Sequence, residues 1–329
     1  MKEIEDFTGW AISPAVFEFL EWVEAEAERA GISRIWFASR EGDFLGRAWN
    51  TLPRAIPGEY LPLSRAFLFR INLLNPGSFD ELFNRSFSGT RGEFLHGRLA
   101  ISPTHDFLER ENSFFRARFR RRDIEVIAQK IDELQKNYSN ELLESAHQFL
   151  NFLNLEPKME SIAIVDVGYS GTIQDQLEIF LGRELAGYYM MTSPGTKRQM
   201  LNSQRKRGWM LEEASWIKSL ALRNSMELEN LLQSSTGRLI DFQSVNGTTT
   251  PIFEDRHLSS KDASILEMQE VSLGQIKNLD RIFGRSWPEE SGKRLLAAAL
   301  EKPYLIPKRL IQDSTAKNLD EYSYGAGVL

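Results

Sequence analysis

Apolar residues recur at three- and four-residue spacing in Val16, Phe17, Leu20, Val23 and Ala27. That spacing predicts a helix, with Ser13 as its N-cap and Pro14 at its first position. Gly31 stands where a left-handed residue would end it. The pattern then changes. Ile35-Trp36-Phe37-Ala38 is a continuous apolar run too short for a helix, and it predicts a buried strand. It enters the polar turn Ser39-Arg40-Glu41-Gly42-Asp43 and a helix starting near Phe44, the opening half of an α/β unit. A further strand is expected over Tyr60-Leu61-Pro62-Leu63, where Pro62 suits a sheet edge better than its middle. From Ser78 to Glu156 the spacing is mostly helical, most clearly over Asp123 to Lys136 and Asn140 to Leu153.

Ser161-Ile162-Ala163-Ile164-Val165-Asp166 is the second strong strand, followed by a helix from Ile173 to Leu181 and a strand from Leu185 to Met191. Strand, helix and strand within so short a span fit a parallel βαβ unit. Two extended runs, Leu239 to Phe242 and Thr248 to Phe253, flank Asn246-Gly247, a strong hairpin signal. Helices over Lys261 to Ile282 and Glu289 to Leu300 close the pattern, and Gln312 to Leu329 reads as a loosely held tail. The expected fold is α/β: three layers around a mainly parallel sheet, built from residues 1–77 and 158–258. A helical insertion at 78–157 and a helical C-terminal segment at 259–329 complete it.

Composition narrows the function. Hydrophobic residues make up 42% and charged residues 26% of the 329, as in ordinary globular proteins. A formal charge of -6 argues against a general nucleic-acid binder. The absence of cysteine removes disulfides, zinc-thiolate sites and thiol nucleophiles together. No run of about 18 apolar residues is present, so no membrane span is expected. The acidic start Met1-Lys2-Glu3-Ile4-Glu5-Asp6 shows no signal-peptide pattern, and a soluble, cytoplasmic protein is the expectation.

The chemistry concentrates after Asp166. Gly168 and Gly171 permit close backbone approach, Ser170 and Thr172 offer hydroxyls, and a helix begins at once. Free N–H groups at such a helix start favour a phosphate. Asp166, at the carboxyl end of its strand, is placed to hold sugar hydroxyls or a Mg²⁺ ion. The same residues also suit a tight strand–helix turn with Ser170 as N-cap. In the first βα turn, Arg40 can grip a phosphate, Gly42 can give backbone access, and Glu41 can act as acid or base. Ser39 joins them as a ligand contact, while Asp43 reads equally well as an N-cap. Met190-Met191-Thr192-Ser193 ends a strand in two hydroxyls, as strand ends often do; Lys197 and Arg198 follow. Arg116-Ala117-Arg118-Phe119-Arg120-Arg121-Arg122 fits either an anion-covering patch or a solvated face. His96, His105, His147 and His257 show no metal-ligand spacing.

Several of these segments together resemble a bacterial family of predicted hydrolases of the haloacid-dehalogenase-like superfamily, often found beside surface-polysaccharide genes. The likeness is to its second region, without the nucleophile domain. It runs through Gly9-Trp10 to Pro14, Ile35 to Gly42, Leu63-Ser64-Arg65, Val165 to Gln174 and Glu229 to Gly237. The resemblance implies a polysaccharide setting and a glycosyltransferase or dehalogenase-type phosphatase as protein partner, this chain itself being catalytic or an inactive module. Phosphatase chemistry through Asp166 would need a second aspartate two residues on, where Gly168 stands. The chain is also similar to type I phosphoribosyltransferases, in which an acidic strand end precedes a Thr-Gly-rich phosphate loop. That likeness implies ribose-type hydroxyls on Asp166, a 5-phosphate at Ser170-Gly171-Thr172, a diphosphate at Ser39 to Gly42, and Mg²⁺. The first acid of that family's pair is Val165 here. A phosphorylated small molecule, a sugar phosphate or diphosphate, is the expected ligand.

Overall fold

Strand β1, Arg34–Ala38, alternates its side chains between two buried faces: Ile35 and Phe37 join one apolar cluster, Trp36 and Ala38 another. A strand buried on both sides belongs at the centre of a three-layer fold. A computed structural model of the chain describes residues 2–75, 80–83, 87–102, 104–155, 160–194 and 205–311. The tail 312–329 and the pair Lys197 and Arg198 lie outside them. The other strands of the sheet are β2, Gly58–Leu61; β3, Ile162–Asp166; β4, Ala186–Met191; and β5, Lys206–Leu211. They pair in parallel in the order β2-β1-β3-β4-β5. The fold is α/β with a three-layer parallel sheet, and Pro62 follows the edge strand β2 rather than interrupting it.

The connections wind outward from the middle. From β1 the chain passes through helix Glu41–Trp49 on the first face to β2. From β3 it passes through helix Thr172–Leu181 on the second face to β4. Helices Ser13–Arg29, Ser225–Leu232, Ser260–Phe283 and Ser291–Glu301 also cover the first face. The second face carries helices Arg65–Ile71 and Ser139–Leu153 and the hairpin of β6, Leu239–Val245, and β7, Thr248–Phe253. Asn246 and Gly247 turn that hairpin with φ of 53° and 79°, the positive values a tight two-residue loop demands. A third apolar cluster, including Phe94, Leu95, Ile127, Ile131 and Leu142, joins helices Arg91–Leu99, Ile124–Asn137 and Ser139–Leu153 to Phe69 of helix Arg65–Ile71. Among the described residues no helix is long and apolar enough to cross a membrane.

Ser13 does not cap a helix. The chain is helical from Lys2, and a π-turn over Thr8–Ile12 leads into Ser13–Arg29, with the Ser13 N–H bonded to the Thr8 carbonyl. Pro14 has no N–H to give, and the widened turn lets the helix absorb it. The Ser13 hydroxyl instead binds Ser272 at 2.9 Å and Gln275 at 2.7 Å, on helix Ser260–Phe283. Gly31, with φ of 67°, ends the helix as its sequence position predicts, with Ile32 N–H returning to Ala27.

Candidate functional site

Strand order decides where a ligand can lie. Helices leave β1 and β3 toward opposite faces, and the carboxyl ends of two such strands are the usual ligand position in doubly wound sheets. The two turns singled out from sequence, 39–43 and 166–172, stand side by side there.

Asp166 ends β3 with 8% of its surface exposed. Its carboxylate accepts the N–H groups of Val167 and Gly168, and yet it is pushed up to about 7, first by burial and then by Glu41. A Cβ at Gly168 would sit 3.2 Å from Asp166 Oδ2, so glycine lets the loop fold back on the carboxylate. The first loop amides therefore serve Asp166 before any anion. Glu41, 6% exposed, heads helix Glu41–Trp49. Glu229 joins them from helix Ser225–Leu232 and is pushed up to about 8, by burial, then by Glu41, with Asp166 adding to it. Arg65 and Arg40 pull Glu229 the other way. Three carboxyls and two guanidiniums thus act on one another from four separate segments.

Each is anchored. Ser64 caps helix Arg65–Ile71, accepting the Phe67 N–H and donating to the Leu239 carbonyl at 2.8 Å, which fixes Arg65 at the helix start. The Arg40 carbonyl accepts the Ser234 N–H at 3.1 Å. The helix bearing Glu229 is held by Tyr169, whose hydroxyl donates to the Ser225 carbonyl at 3.0 Å, and by Gln269, which donates to the Leu231 and Gln233 carbonyls. Tyr60, at the end of β2, bonds Thr236; burial first and the charges of Asp43 and Glu41 next push its hydroxyl up.

The glycine loop has a second support. Gly171 takes φ of 67° at the start of helix Thr172–Leu181, and Lys206 packs against it, with Cε 2.7 Å from where a Cβ would lie. Lys206 Nζ binds Asp175 at 2.6 Å and the Ser170 carbonyl at 3.4 Å. The Ser170 and Thr172 hydroxyls lie 3.0 Å apart. Ser39, in the other turn, holds φ of 68°, unusual for a residue with a side chain, and its buried hydroxyl has no hydrogen-bond partner. At Gly42 a Cβ would stand 2.4 Å from the Phe37 carbonyl oxygen, so glycine there lets helix Glu41–Trp49 pack closely on β1.

Other sequence candidates lie elsewhere. The Thr192 hydroxyl accepts the Glu213 N–H, and the Ser193 N–H and hydroxyl both bind the Tyr169 carbonyl, so the two serve neighbouring loops. Arg116, Arg118, Arg120, Arg121 and Arg122 are exposed, while Phe119 stacks on Phe94 at 4.5 Å. Among the described residues no group of three His, Asp or Glu side chains is placed to hold a metal ion. Glu229, Arg65 and Tyr60 had no motif of their own; Arg65 and Glu229 were signalled only by lying in segments that carry the family resemblance.

Fold and site together define a doubly wound α/β protein with a cluster of charged side chains at its topological switch point. Comparison with known proteins finds no matching family model and no matching curated protein.

Proposed function

We propose that the crevice between β1 and β3 binds a phosphorylated sugar of the phosphoribosyl-diphosphate type and serves its transfer. The observation that carries this reading is the meeting of Arg40 and Arg65 with Asp166, Glu41 and Glu229 at the switch point. The guanidiniums supply charge for phosphate oxygens. The carboxyls supply acceptors, and when protonated donors, for the hydroxyls of a sugar. The helix start at Gly171–Thr172 takes the second phosphate, and a polysaccharide or nucleotide-sugar setting follows from the family resemblance. Asp166 holds hydroxyls better than it would attack phosphorus, because it is spent on two backbone N–H groups and keeps its proton up to near neutral pH.

A thermal-shift panel of ribose 5-phosphate, phosphoribosyl diphosphate and hexose phosphates, with and without Mg²⁺, tests the reading. At least one is expected to raise the melting temperature of the wild type and not of Arg65→Ala. Mg²⁺-dependent phosphate release lost in Asp166→Asn would favour a phosphatase instead. One observation favours a second reading, a non-catalytic partner module. Ile217 is 86% exposed beside Trp216, whose ring stands edge-on to Tyr169 of the glycine loop. That reading predicts no shift with any sugar phosphate.

A further inference from the structure

The helical insertion carries a row of arginines on an open strand edge. Helix Asn112–Arg116 ends at Ala117, whose backbone is extended, and Arg120 is extended again before the short 3₁₀ turn Arg121–Asp123. Between them Arg118 pairs with Thr90 in an antiparallel bridge. The Arg91 N–H donates to the Ala117 carbonyl at 2.9 Å and the Phe119 N–H to the Gly89 carbonyl at 2.8 Å. Those two bonds flank the Arg118–Thr90 pair, so the N–H and carbonyl of Arg118 itself point away from Thr90. Neither has a partner among the described residues. The side chains alternate as in a strand. Phe119 stacks on the buried Phe94 and Ala117 is half-buried, while Arg116, Arg118 and Arg120 are exposed. Arg121 and Arg122 follow, also exposed.

These charges are not spent inside the chain. Asp123 is taken by Arg91 Nε at 3.3 Å and by the Arg120 N–H at 2.9 Å, with the charge of Arg122 also acting on it, and Glu111 is taken by Lys130 at 2.6 Å. Among the described residues Arg116, Arg118, Arg120 and Arg121 form no ion pair. In a protein of net charge -6, five arginines within seven residues make a concentrated positive field. The field holds off a second copy of the same edge, where arginine would face arginine. Guanidiniums pair with carboxylates and phosphates alike, and the backbone separates the two. Phosphates only accept hydrogen bonds and leave the Arg118 carbonyl unanswered, and the one aromatic ring of the run is committed to Phe94 rather than free to stack a base. A peptide strand offers an N–H and a carbonyl together. We propose that this edge docks an extended acidic segment of a partner protein. The segment adds as a strand beside Ala117 to Arg120, exchanges backbone hydrogen bonds with Arg118, and sets carboxylates on alternate residues against Arg116, Arg118 and Arg120. Side chains two residues apart on a strand recur at about 7 Å, so carboxylates at that pitch keep step with the arginines.

A short fluorescent peptide of alternating Glu and Thr, titrated into the full chain at low salt and followed by anisotropy, tests the proposal. Saturable binding to the wild type is expected, weakened by about ten-fold or more in Arg118→Glu/Arg120→Glu, where attraction becomes repulsion. Both positions are exposed, and an unchanged melting temperature checks that the variant folds. A change on the peptide needs no variant. Two further peptides carry methyl groups on all the Glu nitrogens or on all the Thr nitrogens, so that in a docked strand one set faces Arg118 and the other faces away. One of the two should lose about ten-fold or more in affinity and the other should keep most of it. No binding to the wild type, equal binding by the charge-reversed variant, or equal binding of both methylated peptides overturns the proposal. So does tighter binding of a thymidine oligonucleotide or of phosphatidylserine vesicles than of the peptide, which would make the edge a phosphate-binding surface.

Discussion

Asp166→Asn removes a charge that the crevice strains to hold, and the cost can be worked out. In the unfolded chain an aspartate ionises near 3.8; folded, burial and Glu41 hold the Asp166 proton up to about 7. Between those values the unfolded chain has released a proton that the native protein keeps. Stability therefore falls by about 1.4 kcal/mol for each pH unit in that interval and levels off above it. From pH 5 to pH 8 this group alone costs the wild type about 3 kcal/mol. Asparagine pays none of this, and its amide oxygen can still accept the Val167 and Gly168 N–H groups. Discharging position 166 also eases Glu229, in the same direction. In urea unfolding followed at several pH values, the advantage of Asp166→Asn over wild type should grow by about 2–3 kcal/mol between pH 5 and pH 8. An advantage that stays constant or shrinks with rising pH would refute the picture of a buried carboxyl kept protonated by its neighbours. Gain of stability should accompany loss of ligand binding, as expected where a functional group is held against its preference.

Glu229→Gln should likewise stabilise the protein at pH 8 more than at pH 5, and the gain of the double variant with Asp166→Asn should fall short of the sum, because the Asp166 carboxylate is one of the charges that raise Glu229; a double-variant cycle in urea measures the shortfall. Gly42→Ala should destabilise by about 1–3 kcal/mol in thermal unfolding, since helix Glu41–Trp49 must back away from the Phe37 carbonyl to admit a methyl group.

The centre of the fold was legible because its signals are local. Ile35 to Ala38 and Ile162 to Val165 are apolar runs that can only be buried, and Asn246-Gly247 has few other uses than a tight turn. Strand β5 was not legible: Lys206 and Arg207 open it, and Lys206 is buried only because Asp175 and the Ser170 carbonyl receive its charge. Ser13-Pro14 carries the same letters whether it starts a helix or follows a widened turn within one, and only the packing of Ser13 on Ser272 and Gln275 separates the two. The site divides the same way. Arg40, Glu41 and Asp166 sit in strand-end turns, where polar residues after apolar ones draw notice. Glu229 belongs to an amphipathic helix whose sequence does not say which polar side meets the crevice; tertiary anchoring through Tyr169 and Gln269 decides that. Gly42 has a packing reason that the sequence does not display, since a Cβ there would meet the Phe37 carbonyl.

Calorimetric titration of phosphoribosyl diphosphate into the wild type and into Arg40→Ala/Arg65→Ala, at one pH and with Mg²⁺ in both, tests the central claim most directly. Saturable binding to one site on the wild type, weakened by about a hundred-fold or more in the variant as two charged hydrogen-bond donors are lost, is the expected result. Identical isotherms for a folded variant would place the ligand elsewhere and contradict the assignment of the β1/β3 crevice.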